Sequence, residues 1–322
     1  ADGSDAFPDF EALGALAVPG TDPADADLAR AAMAEIEKEG EFLRIAAMAE
    51  ELGRPARACL RINPDVDAKT HKYTTTGKHE NKFGVDIARA ADFFERHGRN
   101  PHVRLVGLHI HLGSPIATPG PYVEAVRAVL PLMDRLAEAG TPIETLNLGG
   151  GYGIDYGAGA VCSPEEFGAA VVPELRPRVE GGLRVIMEPG RCIVGNAGVL
   201  LARVQYVKEG RSRRFVICDA GMQTLIRPAL YGAHHFVWPA RVGPGLSPVG
   251  LAAPAGVAGL RACDVVGPIC ESSDFLCQER ALPEVRAGDV MAVFCAGAYG
   301  MSMASTYNDH PKPAEVLVER GE

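Results

Sequence analysis

Segments with the pattern of buried strands alternate with helical segments between residues 28 and 187. Apolar runs predict strands at 56–62, 103–112, 143–148 and 183–187. Apolar residues at helical spacing predict helices at 28–52, 87–97, 122–139 and 164–180. This alternation is typical of parallel strands whose faces are buried by helices. The first part of the chain is therefore predicted to fold as an α/β barrel.

From Ala197 onward the helical spacing gives way to closely spaced strand-like runs. These runs lie at 199–207, 214–218, 235–242, 261–266 and 289–295. Gly/Pro-rich breaks such as residues 243–248 separate them, which is typical of antiparallel sheets. A chain of 322 residues is long enough for two domains. We therefore predict an α/β domain over 1–197 and a mainly antiparallel β domain over 198–322.

Composition narrows the class of protein. An apolar content of 47% and a charged content of 23% are ordinary for a globular protein, and the net charge of −9 argues against a nucleic-acid or anionic-membrane partner. No apolar run has the length of a membrane span, and the first residues do not have the pattern of a signal peptide. The eight cysteines form no CxxC pair. We expect a cytoplasmic protein with reduced thiols.

Three consecutive glycines, Gly149 to Gly151, follow the strand predicted at 143–148, and Gly153 comes two residues later. Glycine weakens a strand, so three in a row indicate a place where the backbone closely approaches another group. Free N–H groups that lie beyond a strand end and lead into a helix form a binding site for anions. We therefore predict a phosphate cradle here rather than a flexible turn.

The other predicted strands also end on polar groups, and in an α/β barrel the functional residues lie at the carboxyl ends of the strands. Glu188 follows an apolar strand, where a buried carboxylate needs a cationic partner. Arg191 would serve, and so would a protonated ring nitrogen of a ligand. A phosphate cradle close to such a carboxylate fits pyridoxal phosphate, whose ring nitrogen needs an acid.

A pair of histidines allows a different interpretation. His109 and His111 are two apart on one predicted strand, which places both rings on the same face, and such a pair can bind zinc. A metal-dependent barrel hydrolase is therefore an alternative. The remaining histidines are in weaker positions: His71 and His79 in a loop, and His234-His235 in the second domain. We therefore expect no metal.

Six ordered motifs, from about Glu41 to the C-terminus, resemble the diaminopimelate decarboxylases, a family of barrel-type (fold III) pyridoxal phosphate-dependent decarboxylases. The motifs are ENKFG (80–84), GLHIHLGS (107–114), LNLGGGYG (146–153), EPGR (188–191), GPICESSD (267–274) and GAYGMSMAS (297–305). The resemblance implies an alanine-racemase-like (β/α)8 barrel followed by a β domain. It also implies decarboxylation of meso-2,6-diaminopimelate to L-lysine and CO2, and a homodimer with shared active sites.

The resemblance further implies a role for each site residue. His111 would stack on the cofactor ring, Glu188 would pair with its nitrogen, and Cys270 would donate a proton in the neighbouring subunit's site. The remaining cofactor-binding residues would be Ser114, Gly149, Gly150, Gly151, Gly190, Arg191 and Tyr299. The substrate-binding residues would be Arg191, Arg227, Tyr231, Glu271 and Tyr299.

Two structural expectations follow from the local sequence around these residues. Arg227 and Tyr231 are four residues apart, so they share one face if their segment is helical. Cys270 could be a small buried hydrophobe, but the adjoining Glu-Ser-Ser-Asp run indicates a polar surface.

One element of the family pattern has no counterpart. The lysine that links covalently to the cofactor lies in a Tyr-x-x-Lys-Ala-Asn-like context, and none of the seven lysines (38, 69, 72, 78, 82, 208 and 312) has that context. A complete barrel takes about 250 residues, whereas four barrel strands are predicted here. We expect that the sequence omits segments of a normal enzyme. The alternatives are a non-catalytic relative that binds a partner, and a decarboxylase of another basic amino acid.

Overall fold

The structure, a computed structural model, describes residues 33–68, 83–157, 159 and 161–319. Within these residues the chain forms two β-sheets, each with a hydrophobic core of its own. No helix in the described ranges is long and apolar enough to cross a membrane. All eight cysteines are described and free.

The first sheet consists of parallel strands. They are β1 (Ala34–Ile36), β2 (Ala56–Asn63), β3 (Val85–Asp86), β4 (Val103–His109), β5 (Thr145–Asn147) and β6 (Arg184–Ile186). The order is β1-β2-β4-β5-β6, with β3 beside the carboxyl end of β2. Arg61 is in register with His109, and His109 with Asn147, so the carboxyl ends of these strands lie at one edge. The four strands predicted in this region are all present.

Four helices follow these strands and bury one face of the sheet. They are α1 (Glu39–Glu51), α2 (Ile87–His97), α3 (Gly120–Glu138) and α4 (Pro164–Glu180). The predictions for 87–97 and 164–180 are confirmed in full. A capping box fixes the start of α4, because Ser163 accepts from the backbone N–H of Glu166 and the Glu166 carboxylate accepts from the Ser163 N–H.

The helix predicted at 28–52 is wrong over its first part. Residues 34–36 form β1, which pairs in parallel with β2, and the helix begins only at Glu39. The Glu41 carboxylate accepts from the backbone N–H of Lys38 and so fixes that start. Glu35 interrupts the apolar pattern of residues 34–36, so no apolar run indicates this strand, and tertiary pairing overrides the apparent helical spacing here. Residues 28–32 lie outside the described ranges.

The second sheet is mainly antiparallel, as predicted. Its strands are β7 (Leu200–Glu209), β8 (Arg214–Cys218), β9 (Val237–Pro239), β10 (Arg261–Val266), β11 (Phe275–Leu282) and β12 (Val290–Val293). The order is β11-β10-β8-β7-β12-β9, and only β8 and β10 pair in parallel. The sequence did not predict β11, because polar residues 278–280 interrupt its apolar pattern.

Two short helices contribute residues to the region beyond the carboxyl ends of the parallel strands. They are α5 (Arg191–Val194) and α6 (Arg227–Tyr231). The helical form of residues 227–231 confirms the condition under which Arg227 and Tyr231 share a face. Both helices begin with an arginine that is buried, and both arginines belong to the site described next.

Candidate active site

A cavity of about 380 Å³ lies beyond the carboxyl ends of the parallel strands, where their loops meet α6 and the segment after β12. Six of the site residues predicted from the sequence line it: His111, Ser114, Arg191, Arg227, Tyr231 and Tyr299. Tyr156, His234 and Met303 also line it, although no sequence pattern assigns them to the site. Residues from both sheets therefore form one cavity.

The glycine triplet brings the end of β5 against its two neighbouring strands. Gly149 and Gly151 have positive φ angles of 67° and 106°. A Cβ atom on Gly150 would lie 2.5 Å from the carbonyl oxygen of Glu188, and one on Gly151 would overlap the carbonyl oxygen of Gly113. The predicted close approach of backbone is thus confirmed, and the approach is to the chain itself.

The N–H groups of the triplet are partly engaged within the chain. Gly149 donates to Asn147 Oδ1 at 2.9 Å, and Gly150 donates to His111 Nδ1 at 3.2 Å. The next helix, α4, begins at Pro164, as predicted, so a loop separates it from the triplet. The intervening loop pairs Tyr152 with Ile116 in a parallel bridge. The hydroxyl of Ser114 lies on the same loop as Ile116, at the cavity wall.

His111 presents a neutral ring to the cavity. Burial, together with the positive charge of Arg61 and the ring of His109, lowers the pKa of His111 to about 4. Its Nδ1 accepts a hydrogen bond from Gly150, which is consistent with an unprotonated Nδ1. A flat neutral ring fixed in this way can stack on a planar heterocycle.

Glu188 is held by a neighbouring strand rather than by Arg191. Asn147 donates from Nδ2 to Glu188 Oε1 at 2.7 Å, and His109 Nε2 lies 3.7 Å from the same oxygen. Of the two cationic partners left open for Glu188, Arg191 instead donates to Ser114 and Tyr156. The expectation of a buried carboxylate is wrong, since 46% of the Glu188 side chain is exposed. The reason is its place after β6, the last strand of the described parallel sheet, where no further strand covers it.

His109, His111 and Glu188 also lie close enough together to be considered as metal ligands. One ligand atom from each lies within 4.8 Å of the others. His109 is 2% exposed, and its Nδ1 contacts the Glu35 carboxylate. This cluster lies beside the glycine triplet, so a metal and a planar cofactor would compete for the same place.

Arg191 connects the loop after β4 to the loop after the triplet. Its Nε and Nη2 donate to Ser114 Oγ at 3.3 and 3.1 Å, and its Nη1 donates to the Tyr156 hydroxyl at 2.6 Å. The guanidinium also lies 4.7 Å from the centroid of the Tyr299 ring. Arg191 is 7% exposed, so these contacts fix a buried cation at the cavity wall.

Arg227 is a second buried cation in the same cavity. Its Nη1 lies 2.8 Å from His235 Nε2, and its guanidinium lies 4.7 Å from the centroid of the Tyr156 ring. Burial, with the positive charge of Arg191 close by, lowers the pKa of Arg227. No Asp or Glu side chain in the described part of the chain lines this cavity. Two buried guanidinium groups without a carboxylate form a site for an anion.

Cys270, Glu271 and Gly190 are not among the residues that line the cavity. Cys270 is exposed, which confirms the predicted polar surface. Glu271 accepts from the hydroxyls of Tyr307 and Ser273, and the Tyr307 hydrogen bond lowers the pKa of its carboxyl. Gly190 is the N-cap residue of α5. The glycine triplet and Glu188 are not among the lining residues either, but hydrogen bonds through Asn147 and Gly150 connect them to His111, which lines the cavity.

No lysine among the described residues lines the cavity. Lys38, Lys208 and Lys312 lie elsewhere in the described ranges. The four other lysines, at positions 69, 72, 78 and 82, lie outside those ranges, as do His71 and His79.

Comparison with known proteins gives the family. The family model described as "Pyridoxal-dependent decarboxylase, pyridoxal binding domain" matches residues 25–195. Diaminopimelate decarboxylase of Aquifex aeolicus is 40% identical over 302 residues, which cover 94% of this chain and 67% of the relative. That of Neisseria meningitidis serogroup A is 42% identical over 282 residues, covering 88% and 65%. The chain belongs to the pyridoxal-dependent decarboxylase family.

Solved structures agree with this assignment. The crystal structure of diaminopimelate decarboxylase from Helicobacter pylori complexed with L-lysine has a TM-score of 0.79 at 35% identity, over 90% of this chain and 68% of that chain. Lysine/ornithine decarboxylase of Vibrio vulnificus, at 22% identity and a TM-score of 0.71 over 91% and 72% of the two chains, shares the fold. The fold is thus the alanine-racemase-like barrel with a β domain, as the resemblance implied. The chain spans about two thirds of the length of the relatives.

Proposed function

We propose that the chain catalyses the pyridoxal phosphate-dependent decarboxylation of meso-2,6-diaminopimelate to L-lysine and CO2 in lysine biosynthesis. The observation that carries this proposal is the pair of buried guanidinium groups, Arg191 and Arg227, in one cavity without a carboxylate among the described residues. Diaminopimelate carries a carboxylate at each end. One leaves as CO2, and the cavity offers a cationic site for the one that remains.

The residues beside the cavity fit the family's cofactor. A neutral His111 ring offers a stacking surface, and the Glu188 carboxylate, held by Asn147, offers an acceptor for a ring N–H. On the phosphate side we assign the Ser114 hydroxyl and the Gly149–Gly151 backbone, with Gly190, Arg191 and Tyr299 around them. Bound pyridoxal phosphate would supply the electron sink for the carbanion that loss of CO2 leaves.

We infer different functions for the three backbone N–H groups of the glycine triplet. Gly149 and Gly150 are already bonded to Asn147 and His111, so they hold the acidic and stacking side chains in place. The Gly151 N–H and the Ser114 hydroxyl are then the donors we assign to the phosphate. Arg191 donates to Ser114 Oγ, which leaves the hydroxyl hydrogen of Ser114 to point away from the guanidinium.

The substrate-binding set includes Tyr231 and Tyr299 at the cavity wall and Glu271 outside it. We infer a homodimer in which Cys270 and Glu271 complete the partner's cavity, Cys270 as the proton donor and Glu271 as the acceptor for a substrate ammonium. Their exposure supports this, since residues that serve a neighbouring site must be accessible. We also infer that the domains divide between 197 and 198, and that the chain is cytoplasmic, where its eight free thiols stay reduced.

A mixing experiment tests the shared site. Cys270→Ala and Arg227→Met lie in different parts of the proposed composite site, so a mixture of the two inactive variants regains activity if one intact site forms in each mixed dimer. A mixture of Arg191→Met and Arg227→Met, which damage the same cavity, should regain none. Equal recovery, or equal failure, in both mixtures would contradict the shared site.

A substrate panel tests the reaction. The chain is incubated with pyridoxal phosphate, and CO2 release is measured with meso-diaminopimelate, L-ornithine, L-arginine and L-lysine. We expect release from diaminopimelate above all. Release from ornithine or arginine alone would support a decarboxylase of another basic amino acid. Cofactor uptake without CO2 release from any of them would support the non-catalytic relative.

The metal-dependent hydrolase is a second candidate, because His109, His111 and Glu188 have ligand atoms within 4.8 Å of one another. Metal analysis of the purified chain distinguishes the two candidates. Stoichiometric zinc that persists after addition of pyridoxal phosphate would favour the hydrolase. We expect the family cofactor to exclude it.

A further inference from the structure

We propose that His235 is a positioning residue for Arg227, which it orients toward the substrate carboxylate as a neutral hydrogen-bond acceptor. The substrate part of this inference rests on the proposed function, whereas the orientation of Arg227 belongs to the chain itself. His235 does not line the cavity. It acts from behind the guanidinium, and it is one of the buried polar residues, with 0% exposure.

The two ring nitrogens of His235 have partners that define one tautomer. Nδ1 lies 2.9 Å from the carbonyl oxygen of Phe294, which can only accept, so Nδ1 carries the hydrogen. Nε2 lies 2.8 Å from Arg227 Nη1, which can only donate, so Nε2 is the acceptor. The imidazolium would place an N–H against the guanidinium and break the second contact. The Nδ1–H tautomer alone satisfies both.

Because the His235 acceptor is uncharged, it leaves the positive charge of Arg227 available to the substrate. A buried arginine needs acceptors to fix its long side chain, and a carboxylate is the usual one. A carboxylate behind Arg227 would cancel the charge that attracts the substrate. An imidazole nitrogen fixes the guanidinium and leaves its full positive charge for the ligand. Burial and the nearby positive charge of Arg227 lower the pKa of His235 to about 4, although the hydrogen bond to Phe294 acts in the opposite direction. His235 Nε2 is therefore unprotonated at neutral pH and can accept a hydrogen bond.

Tyr156 completes this arrangement. Its ring packs edge-on against His235, with centroids 5.3 Å apart, and its centroid lies 4.7 Å from the Arg227 guanidinium. The side chain of Arg227 is thus held by a ring face on one side and by an imidazole nitrogen at its Nη1. Tyr156 also accepts a hydrogen bond from Arg191, so one side chain contacts both guanidinium groups of the cavity.

Two substitutions separate positioning from simple packing. His235→Gln retains a side-chain oxygen that can reach Arg227 as an acceptor. His235→Asn is shorter and can keep a donor toward the Phe294 carbonyl, but it has no acceptor near Arg227. His235→Asn leaves a larger vacancy in the buried site than His235→Gln, so a purely structural role predicts a loss of function in each variant that follows its loss of Tm. Positioning predicts that the Gln variant is rescued and the Asn variant is not.

The first readout does not depend on substrate or cofactor. Nitrogen NMR of the His235 ring should show a protonated Nδ1 and an unprotonated Nε2 at neutral pH. Hydrogen exchange of the Arg227 guanidinium should be slow in the wild type and in His235→Gln, and at least tenfold faster in His235→Asn. A protonated Nε2, or equal exchange in the two variants, would overturn the inference whether or not the chain is a decarboxylase.

The second readout uses meso-diaminopimelate as the probe. For His235→Asn we expect KM to rise about tenfold or more, with kcat within about threefold of the wild type, and for His235→Gln we expect a rise in KM of less than about threefold. In an Arg227→Met background, His235→Asn should change KM no further. Equal rises in KM in both variants would overturn the inference. A wild-type chain that gives the predicted NMR result but releases no CO2 would instead refute the proposed function alone.

Discussion

Asn147 and Glu188 are joined by a hydrogen bond of 2.7 Å from Nδ2 to Oε1, and the same Asn147 side chain accepts from the Gly149 N–H at 2.9 Å. One amide therefore fixes both the glycine triplet and the carboxylate that we assign to the cofactor ring. Asn147 therefore couples the position of the triplet to that of the Glu188 carboxylate.

Replacing Asn147 with Asp should weaken cofactor binding. The acceptor for Gly149 remains, but the donor to Glu188 is lost and two carboxylates face each other. A hydrogen bond to a charged group is worth about 1.5–3 kcal/mol, so we expect the Kd for pyridoxal phosphate to rise on the order of tenfold or more. Absorbance titration measures it. Asn100→Asp is the control, because Asn100 acts only as an acceptor, from the N–H groups of His102 and Val103, and lies at the amino end of β4. A similar effect in both variants would contradict the assignment.

Replacing Gly150 with Ala should destabilise the fold and the site together. The new Cβ would lie 2.5 Å from the Glu188 carbonyl oxygen, which is backbone and cannot move without shifting the strand ends. We expect a loss of about 1–3 kcal/mol in the free energy of unfolding, measured by denaturant titration. Gly168→Ala is the control, since a Cβ there meets no atom within 4 Å and the residue lies inside α4. That variant should gain up to about 1 kcal/mol. A Gly150→Ala variant with an unchanged free energy of unfolding would show that the fold does not require this close approach.

Replacing Tyr156 with Phe should weaken substrate binding without unfolding the chain. The hydroxyl that accepts from Arg191 at 2.6 Å is lost, but the ring under the two guanidinium groups remains. We expect KM for diaminopimelate to rise between about threefold and thirtyfold, with an unchanged Tm. Tyr206→Phe is the matched control, because Tyr206 is 69% exposed on β7 and far from the cavity in the described fold. An unchanged KM in Tyr156→Phe would mean that Arg191 is held adequately by Ser114.

Stability should fall in mild acid. Burial lowers the pKa values of His111 and His235 to about 4, below the ordinary value of 6.5. The unfolded chain then binds more protons than the folded chain, so the stabilisation is complete above about pH 6.5 and is lost as the pH falls toward 4. Denaturant unfolding at a series of pH values measures this slope. His235→Gln should have a shallower slope than the wild type, and an identical slope would show that His235 titrates normally.

Much of the fold could be predicted from local sequence. Apolar residues at helical spacing predict the helix at 164–180, and the capping box of Ser163 and Glu166 fixes its start. Strands β2, β4, β5 and β6 lie within continuous apolar runs. Strand β1 was missed because its identity depends on pairing with β2, which is a contact distant in sequence. The same applies to β3, whose two residues carry no pattern.

In the candidate site, too, the features encoded within a few residues could be predicted, and those that depend on contacts distant in sequence could not. The glycine triplet and the Arg227–Tyr231 spacing were readable because their chemistry is encoded within a few residues. The sequence leaves the partner of Glu188 open between Arg191 and a ligand nitrogen, and it gives no information about Ser114, the partner of Arg191 that is 77 residues away. His235 was overlooked for this reason as well, since its role depends on Phe294, 59 residues further along the chain.

The most direct test of the central claim compares kcat/KM for meso-diaminopimelate in the wild-type chain and in Arg227→Met, with L-lysine formation as the readout. We predict lysine formation by the wild type and a fall in kcat/KM on the order of a hundredfold in the variant, because the retained carboxylate loses one of its two buried cations. A wild-type chain that binds pyridoxal phosphate but forms no lysine, or a variant as active as the wild type, would contradict it.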